Sequence, residues 1–233
     1  MNWTEMAEIV FDNVVFRYPY CEYDAVEGLS LTLSNGWTDV LIDTQSGKTT
    51  LCKLLMGLEK PNSGLITYNG RNIDTLSFQE RNILYLGKQN MLFDNKSVLV
   101  NVEYPMKVRG VGRAERRKIA LDSLIKCNLE KYADTKVKHL PEDVRHAVSV
   151  CRALTRQVDL ILCDDFFDSD TTIALQLLKD NFFDTTLVNF TSQIDKCVGE
   201  FTLLIKDGKV VAEGDRQHVD EQLRNILWLA REV

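Results

Sequence analysis

No run of apolar residues in this 233-residue chain approaches the ~18 needed for a helix to span a bilayer, so any membrane role needs other chains to provide the span. No CxxC pair and no metal-ligand spacing occurs among the cysteines Cys21, Cys52, Cys127, Cys151, Cys163 and Cys197, which are scattered along the sequence. Several lie in apolar runs such as "LILCD", where cysteine behaves as a small hydrophobe, and a reduced, cytosolic compartment fits this usage. Positive charge is not in excess either. The net charge of -6 argues against a general nucleic-acid binder, which would want a basic face, and "RAERRK" (113–118) reads as the wet side of a helix. The opening "MNWTEMAEIVF" is acidic and lacks the basic-then-apolar order of a signal peptide. Internal repeats and low-complexity linkers are also missing.

What is present is an ordinary globular balance, 45% hydrophobic and 27% charged, in a chain long enough to bury a proper core. The first 35 residues read as strands with turns: "AEIVFDNVVFRY" is β-rich, and "LSLTLSNG" alternates apolar and polar residues before an Asn-Gly turn. A short apolar run, "VLI" at 40–42, precedes Leu51, Leu54, Leu55 and Leu58, whose spacing is the stripe of an amphipathic helix ended by Gly57 and Pro61. Residues 98–158 read as mostly helical. Two core strands, "DLILCDD" (159–165) and "TTLVNFT" (185–191), flank a helical "TIALQLLKDNF", and "FTLLIKDGKVVAEG" reads as a hairpin turning at Asp207-Gly208. Buried strands alternating with helices predict a mainly parallel α/β sheet, with an antiparallel section from the strands at either end of the chain.

Glycine is scarce where it would be most informative. "IDTQSGKTTL" (42–51) ends like a phosphate-binding loop yet carries only Gly47. Its position between a strand and a helix is where such a loop must lie. Residues Ser46 to Thr50 could turn backbone N–H groups toward phosphate oxygens at a helix N-terminus, Lys48 could reach the outer phosphates, and the Thr49 hydroxyl could bind Mg²⁺. The competing reading is a plain helix start capped by Ser46 or Thr49. A second constellation is independent: "LILCDD" is a hydrophobic strand ending in Asp164 and Asp165, of which one carboxylate can hold a metal's water shell and the next can polarise an attacking water. Strands ending in solvated acids are common, so it is the pairing of the two constellations that points to a nucleotide site.

With these motifs in order, the chain resembles the ATP-binding subunit of ABC transporters nearly end to end. Tyr18 in "VVFRYPY" looks like the family's adenine-stacking aromatic. "GLEKPNSGLITYNGRNI" (57–73) is similar to the stretch after Walker A, and "SVLVNVEYPMKVRGVGRAERRKIALDSLIKCNLEKYAD" resembles the helical subdomain. "CRALTRQVDLILCDDFF" looks like the helix and strand leading into Walker B, and "LLIKDGKVVAEGD" like the terminal hairpin. The resemblance implies a P-loop NTPase fold: a RecA-like, mostly parallel sheet with an antiparallel β section and an inserted helical subdomain. The core would take 1–88 and 159–233, the helical subdomain 89–158.

The departures are informative. Ile42 and Gln45 stand where the family's first two loop glycines belong, or else the loop is one residue shorter. Lys88 occupies the expected Q-loop glutamine position, with Gln89 one residue late. The L-S-G-G-Q signature is replaced by "LPEDV" (140–144), in which Pro141 lacks both hydroxyl and N–H while Glu142 and Asp143 would repel a polyanion. The same stretch also reads as a well-made helix start, with proline and acids in its first turn. The general-base position is Asp165, one methylene shorter than the family's glutamate, and Ser192 stands where the switch histidine belongs. The D-loop around 168–170 is irregular, and His139, His146 and His218 read as surface residues.

The resemblance therefore implies ATP and Mg²⁺ as ligands, with Tyr18 on the base and Ser46, Gly47, Lys48, Thr49 and Thr50 around the phosphates. Thr49, Asp164 and Gln89 would serve the metal, with Lys48 and Asp165 in catalysis. It further implies a transmembrane transporter subunit as partner, a cytoplasmic position on the inner face of the membrane, and a second ATP-binding subunit with an intact signature. An ABC fold used as a non-catalytic scaffold is the reading of a different class. A P-loop kinase or GTPase fits the order of the helical insert and hairpin less well.

Overall fold

The computed structural model describes residues 8–42, 47–89, 91–168 and 171–229. The chain divides into two compact units: Met1–Tyr85, Asp159–Asp165 and Asp184–Val233 form the first, Leu86–Val158 and Phe166–Phe183 the second. In chain order the elements begin with β1 (Ile9–Phe16), β2 (Val26–Leu33), β3 (Trp37–Ile42), α1 (Lys48–Met56), β4 (Ser63–Tyr68) and β5 (Arg71–Asn72). They continue with α2 (Phe78–Arg81), β6 (Ile83–Gly87), α3 (Val98–Val108), α4 (Arg113–Lys126) and α5 (Glu142–Ala153). The last are β7 (Leu160–Asp164), α6 (Thr172–Asn181), β8 (Thr186–Thr191), β9 (Phe201–Lys206), β10 (Lys209–Gly214) and α7 (Arg216–Leu229).

One sheet is antiparallel, in the order β2-β1-β4-β5; the other runs β10-β9-β3-β8-β7-β6. Strands β3, β7, β8 and β9 pair in parallel, and β10 turns back antiparallel on β9. The turn falls on Asp207 and Gly208 at φ 51 and 69, the left-handed pair that a two-residue hairpin of this twist demands. The parallel strands are buried along most of their length because both of their faces are covered, and the polar residues inside them, Asp39 and Asn189 among them, are buried with the rest. In β3, Val40 and Ile42 enter the main core, while Leu41 joins Leu204 and Val219 of α7 in a smaller cluster on the opposite face. The main core collects residues of both sheets and the buried side of α1, formed by Leu51, Cys52, Leu54 and Leu55. The helical stripe read from the sequence stops one residue pair early. Gly57 takes a left-handed φ of 74 and ends α1 at Met56, so Leu58 is thrown out of the stripe and is 65% exposed.

A single buried carboxylate ties the parallel sheet to the segment before β9. Asp39 of β3 is fully buried and accepts hydrogen bonds from Asn189 Nδ2 (2.7 Å) and the backbone N–H groups of Val198 (3.1 Å) and Gly199 (2.7 Å). Burial pushes its carboxyl above the usual carboxylate range, against the pull of those bonds.

The second unit is built on helices. Ser97 caps α3 through the N–H of Val100, and the buried Asn101 side chain accepts from the Phe93 N–H (2.7 Å) and donates to the carbonyls of Phe93 and Ser97. The start of α4, which contains "RAERRK", lies mostly exposed, as its charge predicts. No helix among the described residues is long and apolar enough to cross a membrane.

Candidate functional site

The turn from β3 into α1 is set by the strand's own burial. Ile42 is buried and pairs with Ile205, so it is the last residue of the strand and not a loop residue, which agrees with the shorter-loop alternative. The loop itself, including Gln45 and Ser46, lies outside the described residues. Gly47 re-enters at φ 83 and ψ 17, and a Cβ there would stand 2.2 Å from the Ala25 carbonyl oxygen; only glycine passes this point without displacing backbone. Helix α1 begins at Lys48, closed by the Leu51 N–H on the Gly47 carbonyl at 2.8 Å.

Thr49 does not cap the helix, and Ser46, the other cap of the plain helix-start reading, lies outside the described residues. The Thr49 hydroxyl donates to Asp164 Oδ2 at 2.7 Å, and the Thr50 hydroxyl lies 3.2 Å from the Tyr18 hydroxyl. Gly47, at the N-cap, has no side chain to offer the first-turn N–H groups. Lys48 is only 6% exposed and its ammonium lies 3.6 Å from Asp165 Oδ2. Fold and chemistry therefore bring Lys48, Thr49, Asp164 and Asp165 together from two segments far apart in the chain.

Asp164 is the last residue of β7 and is 6% exposed. Asp165 keeps the sheet register through its N–H on the Phe190 carbonyl (3.0 Å), then turns left-handed at φ 48. A third group joins them that the sequence did not single out. Tyr85 of β6 donates its hydroxyl to the same Oδ2 of Asp164 at 2.9 Å. Burial first, then the Asp164 charge, hold the phenol's proton on well above its ordinary pKa. Cys52 lies fully buried nearby, and burial followed by the Asp164 charge pushes its thiol far up, so it carries no charge in this cluster. The one legible signal for Tyr85 is a polar-tipped residue in an otherwise apolar strand, "ILYLG".

These groups suit a small, hard divalent cation. Among the described residues no cluster of three or more His, Cys, Asp or Glu could cage a metal ion, but Mg²⁺ asks for one or two carboxylate or hydroxyl oxygens and fills its shell with water and phosphate. Thr49 and Asp164 offer that set, already joined by their hydrogen bond.

Tyr18 is half-buried and fixed to α1. Its oxygen accepts from Lys53 Nζ at 3.1 Å, the same ammonium sits 5.1 Å from its ring centroid, and Phe16 packs edge-on at 4.8 Å between centroids. In the second unit Gln89 is exposed and helps line a groove of about 540 Å³ with Lys88, Met91, Asp94 and Arg145. The "LPEDV" stretch forms the start of α5, with Pro141 at the N-cap and Glu142 and Asp143 in the first turn. Acids there favour the helix dipole. His146 is not a surface residue. It is fully buried, with Nδ1 2.9 Å from the Glu142 carbonyl and its ring edge-on to Phe166, because the i, i+4 face that also carries Val150 turns inward. His139 and His218 are exposed, Ser192 is half-buried after β8, and residues 169–170 lie outside the described residues.

The pattern of the ABC transporter family matches residues 26–168. The chain is 29% identical over 188 residues to the glycine betaine/carnitine transport ATP-binding protein GbuA of Listeria monocytogenes, covering 75% of this chain and 47% of that one. It is 28% identical over 212 residues to the diacetylchitobiose uptake system ATP-binding protein MsiK of Streptomyces coelicolor, covering 87% and 56%. The chain thus spans about half the length of these curated relatives. Among solved structures, the dimeric ATP-binding cassette MJ0796 bound to ADP and Pi superposes with a TM-score of 0.74 at 25% identity, covering 89% of this chain and 98% of that one. A matched stretch that begins in β2, runs through the Gly47–Thr50 turn and ends just past Asp165, on an ATP-binding cassette fold with mixed sheets, assigns the protein: the chain is a member of the ABC transporter family, with the P-loop NTPase fold.

Proposed function

We propose that the chain is an ATP-binding, energy-coupling subunit of an ABC transporter whose own hydrolysis is slow. The observation that carries the reading is the Thr49–Asp164 hydrogen bond, with the buried Lys48 facing Asp165 beside it. Lys48 would hold the outer phosphates, and the first-turn N–H groups of α1 would receive the rest of their charge. Mg²⁺ would sit against Thr49 and Asp164, where it would neutralise phosphate charge. Tyr18 would pack on the base. Asp165 would orient the attacking water, but its short side chain and its attraction to Lys48 weaken that role.

The acidic start of α5 supports a heteromeric arrangement. In a head-to-tail pair, Pro141, Glu142 and Asp143 would face the partner's γ-phosphate with two negative charges and no N–H at the proline. A second subunit with an intact signature would instead complete the site built on Lys48. The membrane span would come from a transporter subunit docked on the helical unit, whose groove beside Gln89 and Met91 would receive it, and the chain would lie at the inner face of the membrane.

The test is titration of the purified protein with a fluorescent ATP analogue and Mg²⁺, with Lys48→Ala as control. Loss of a charge-assisted phosphate contact should raise Kd by about tenfold or more. Turnover by the wild-type chain alone should stay below about 1 s⁻¹. No saturable binding in either protein refutes the nucleotide reading and leaves a scaffold role for the fold.

A further inference from the structure

We propose that Tyr85 is a positioning residue for the divalent cation, acting through Asp164. The inference rests on the nucleotide reading above. Asp164 Oδ2 accepts from two hydroxyls, Thr49 at 2.7 Å and Tyr85 at 2.9 Å, and the two donors reach it from different elements, α1 and β6. With Oδ2 taken twice, the carboxylate cannot swing about its terminal torsion, and Oδ1 is the oxygen left to receive a metal's water. Thr49 alone would not do this. Its hydroxyl would itself serve the cation and so would be drawn from Asp164 when the cation binds, whereas a tyrosine on a strand has two torsions and a rigid ring.

Packing alone would be served by phenylalanine. Tyr85 is half-buried among the apolar residues of "ILYLG", so its hydroxyl is the only polar side-chain group that β6 brings to this end of the sheet. A phenol donating to a carboxylate that is 6% exposed makes a charge-assisted bond, stronger than a neutral one. Outer partners of this kind orient a metal's ligands, and their loss usually costs about 10–100-fold in metal affinity.

The experiment compares wild type with Tyr85→Phe, a change that removes one oxygen and keeps the ring. The affinity for a fluorescent ATP analogue is measured with saturating Mg²⁺ and again in EDTA, and the ratio of the two Kd values reports how strongly cation and nucleotide bind together. The expected result is an unchanged Kd in EDTA, within about twofold, and a Mg²⁺ enhancement reduced by about tenfold. An enhancement equal to that of wild type overturns the Tyr85 assignment and leaves the nucleotide reading standing. Equal weakening with and without Mg²⁺ also overturns it, since a damaged fold would do that. ATP binding by wild type that ignores Mg²⁺ overturns the assignment too, and no ATP binding at all overturns both readings together.

Discussion

Replacing Gly47 by alanine separates the two demands that the turn into α1 makes on its residue. The first is conformational: at φ 83 and ψ 17, an L side chain costs roughly 1–2 kcal/mol in the left-handed region. The second is spatial, since the new Cβ would stand 2.2 Å from the Ala25 carbonyl oxygen. That oxygen belongs to backbone, and the Ala25 N–H is already committed to the Phe16 carbonyl at 2.8 Å, so it cannot swing aside as a flexible side chain would. Forced displacement of packed structure typically costs about 1–3 kcal/mol more. Gly36, with φ 99 and no heavy atom within 4 Å of its would-be Cβ, carries the first demand without the second. Urea unfolding of Gly36→Ala should therefore show a loss of about 1–2 kcal/mol, and Gly47→Ala about 2–5 kcal/mol, at the same m-value. The difference isolates the clash. Gly47→Ala should also weaken ATP binding, because relief of the clash shifts the first turn that carries Lys48 and Thr49, while Gly36→Ala should leave it intact. Equal stabilities of the two variants, within about 0.5 kcal/mol, would refute the argument.

The short helix α2 makes a pH prediction. Its capping box holds Glu80 through the Ser77 N–H (2.9 Å) and hydroxyl (2.8 Å), with Arg71 alongside, and these bonds lower the carboxyl from 4.5 to about 2. A depressed acid stabilises the fold above its unfolded pKa and loses that contribution as pH falls through the folded one. Glu80→Gln should thus flatten the acid limb of stability between pH 4.5 and about 2, read from urea midpoints, while NMR titration of wild type should find the Glu80 carboxyl still ionised at pH 3. Thiol chemistry makes a simpler prediction: of the six cysteines, only Cys21 is exposed, so a disulfide reagent should label one thiol in the folded protein and all six in urea. More than one fast-reacting thiol in the native state would contradict the buried positions of the other five.

How far the site could be read in the sequence depended on whether its parts are local or meet only through the sheet. The Gly47-Lys48-Thr49 turn is local. A buried strand, a glycine with the required φ and a helix follow one another along the chain, so spacing alone located it. The hairpin at Asp207-Gly208 is local in the same way. Asp164 and Asp165 were legible because a fully apolar strand ending in two acids is itself a pattern. Tyr85 reaches Asp164 only because β6 and β7 lie next to each other at one edge of the six-stranded sheet, and strand order is not written in the composition of either strand. Burial failed the sequence reading for a related reason. His146 lies in a helix whose inward face is decided by α6 and Phe166, segments that enter the second unit only after β7 has returned to the first. Cys127 and Cys151 likewise sit well apart in the chain, yet the folded unit brings their thiols into a hydrogen bond that lowers the pKa of Cys127 and raises that of Cys151.

On the proposed reading, the distribution of charge in the cluster carries a consequence for how ATP must enter. Two carboxylates stand at the end of β7, and one buried ammonium faces them, on the Asp165 side. Asp164 accepts from two neutral hydroxyls in a nearly buried position, where no lysine or arginine reaches it as Lys48 reaches Asp165 among the described residues. A polyphosphate arriving without a cation has to draw Lys48 away from Asp165, which leaves two acids near the phosphates and one lysine shared among them. That exchange gains little, because each ion pair made requires another to be broken in a low-dielectric site. A divalent cation arriving with the phosphates changes the sum: it takes the Asp164 side, leaves Lys48 to the phosphates, and removes the repulsion that would otherwise oppose binding. The arrangement therefore makes nucleotide affinity depend on Mg²⁺ through Asp164 itself, so that Asp164→Asn, which keeps the shape and removes the charge, should improve ATP binding in EDTA while abolishing the Mg²⁺ enhancement. Weaker binding of Asp164→Asn in EDTA would show that the carboxylate holds the site together through the hydrogen bonds it accepts from Thr49 and Tyr85, and would overturn the charge argument.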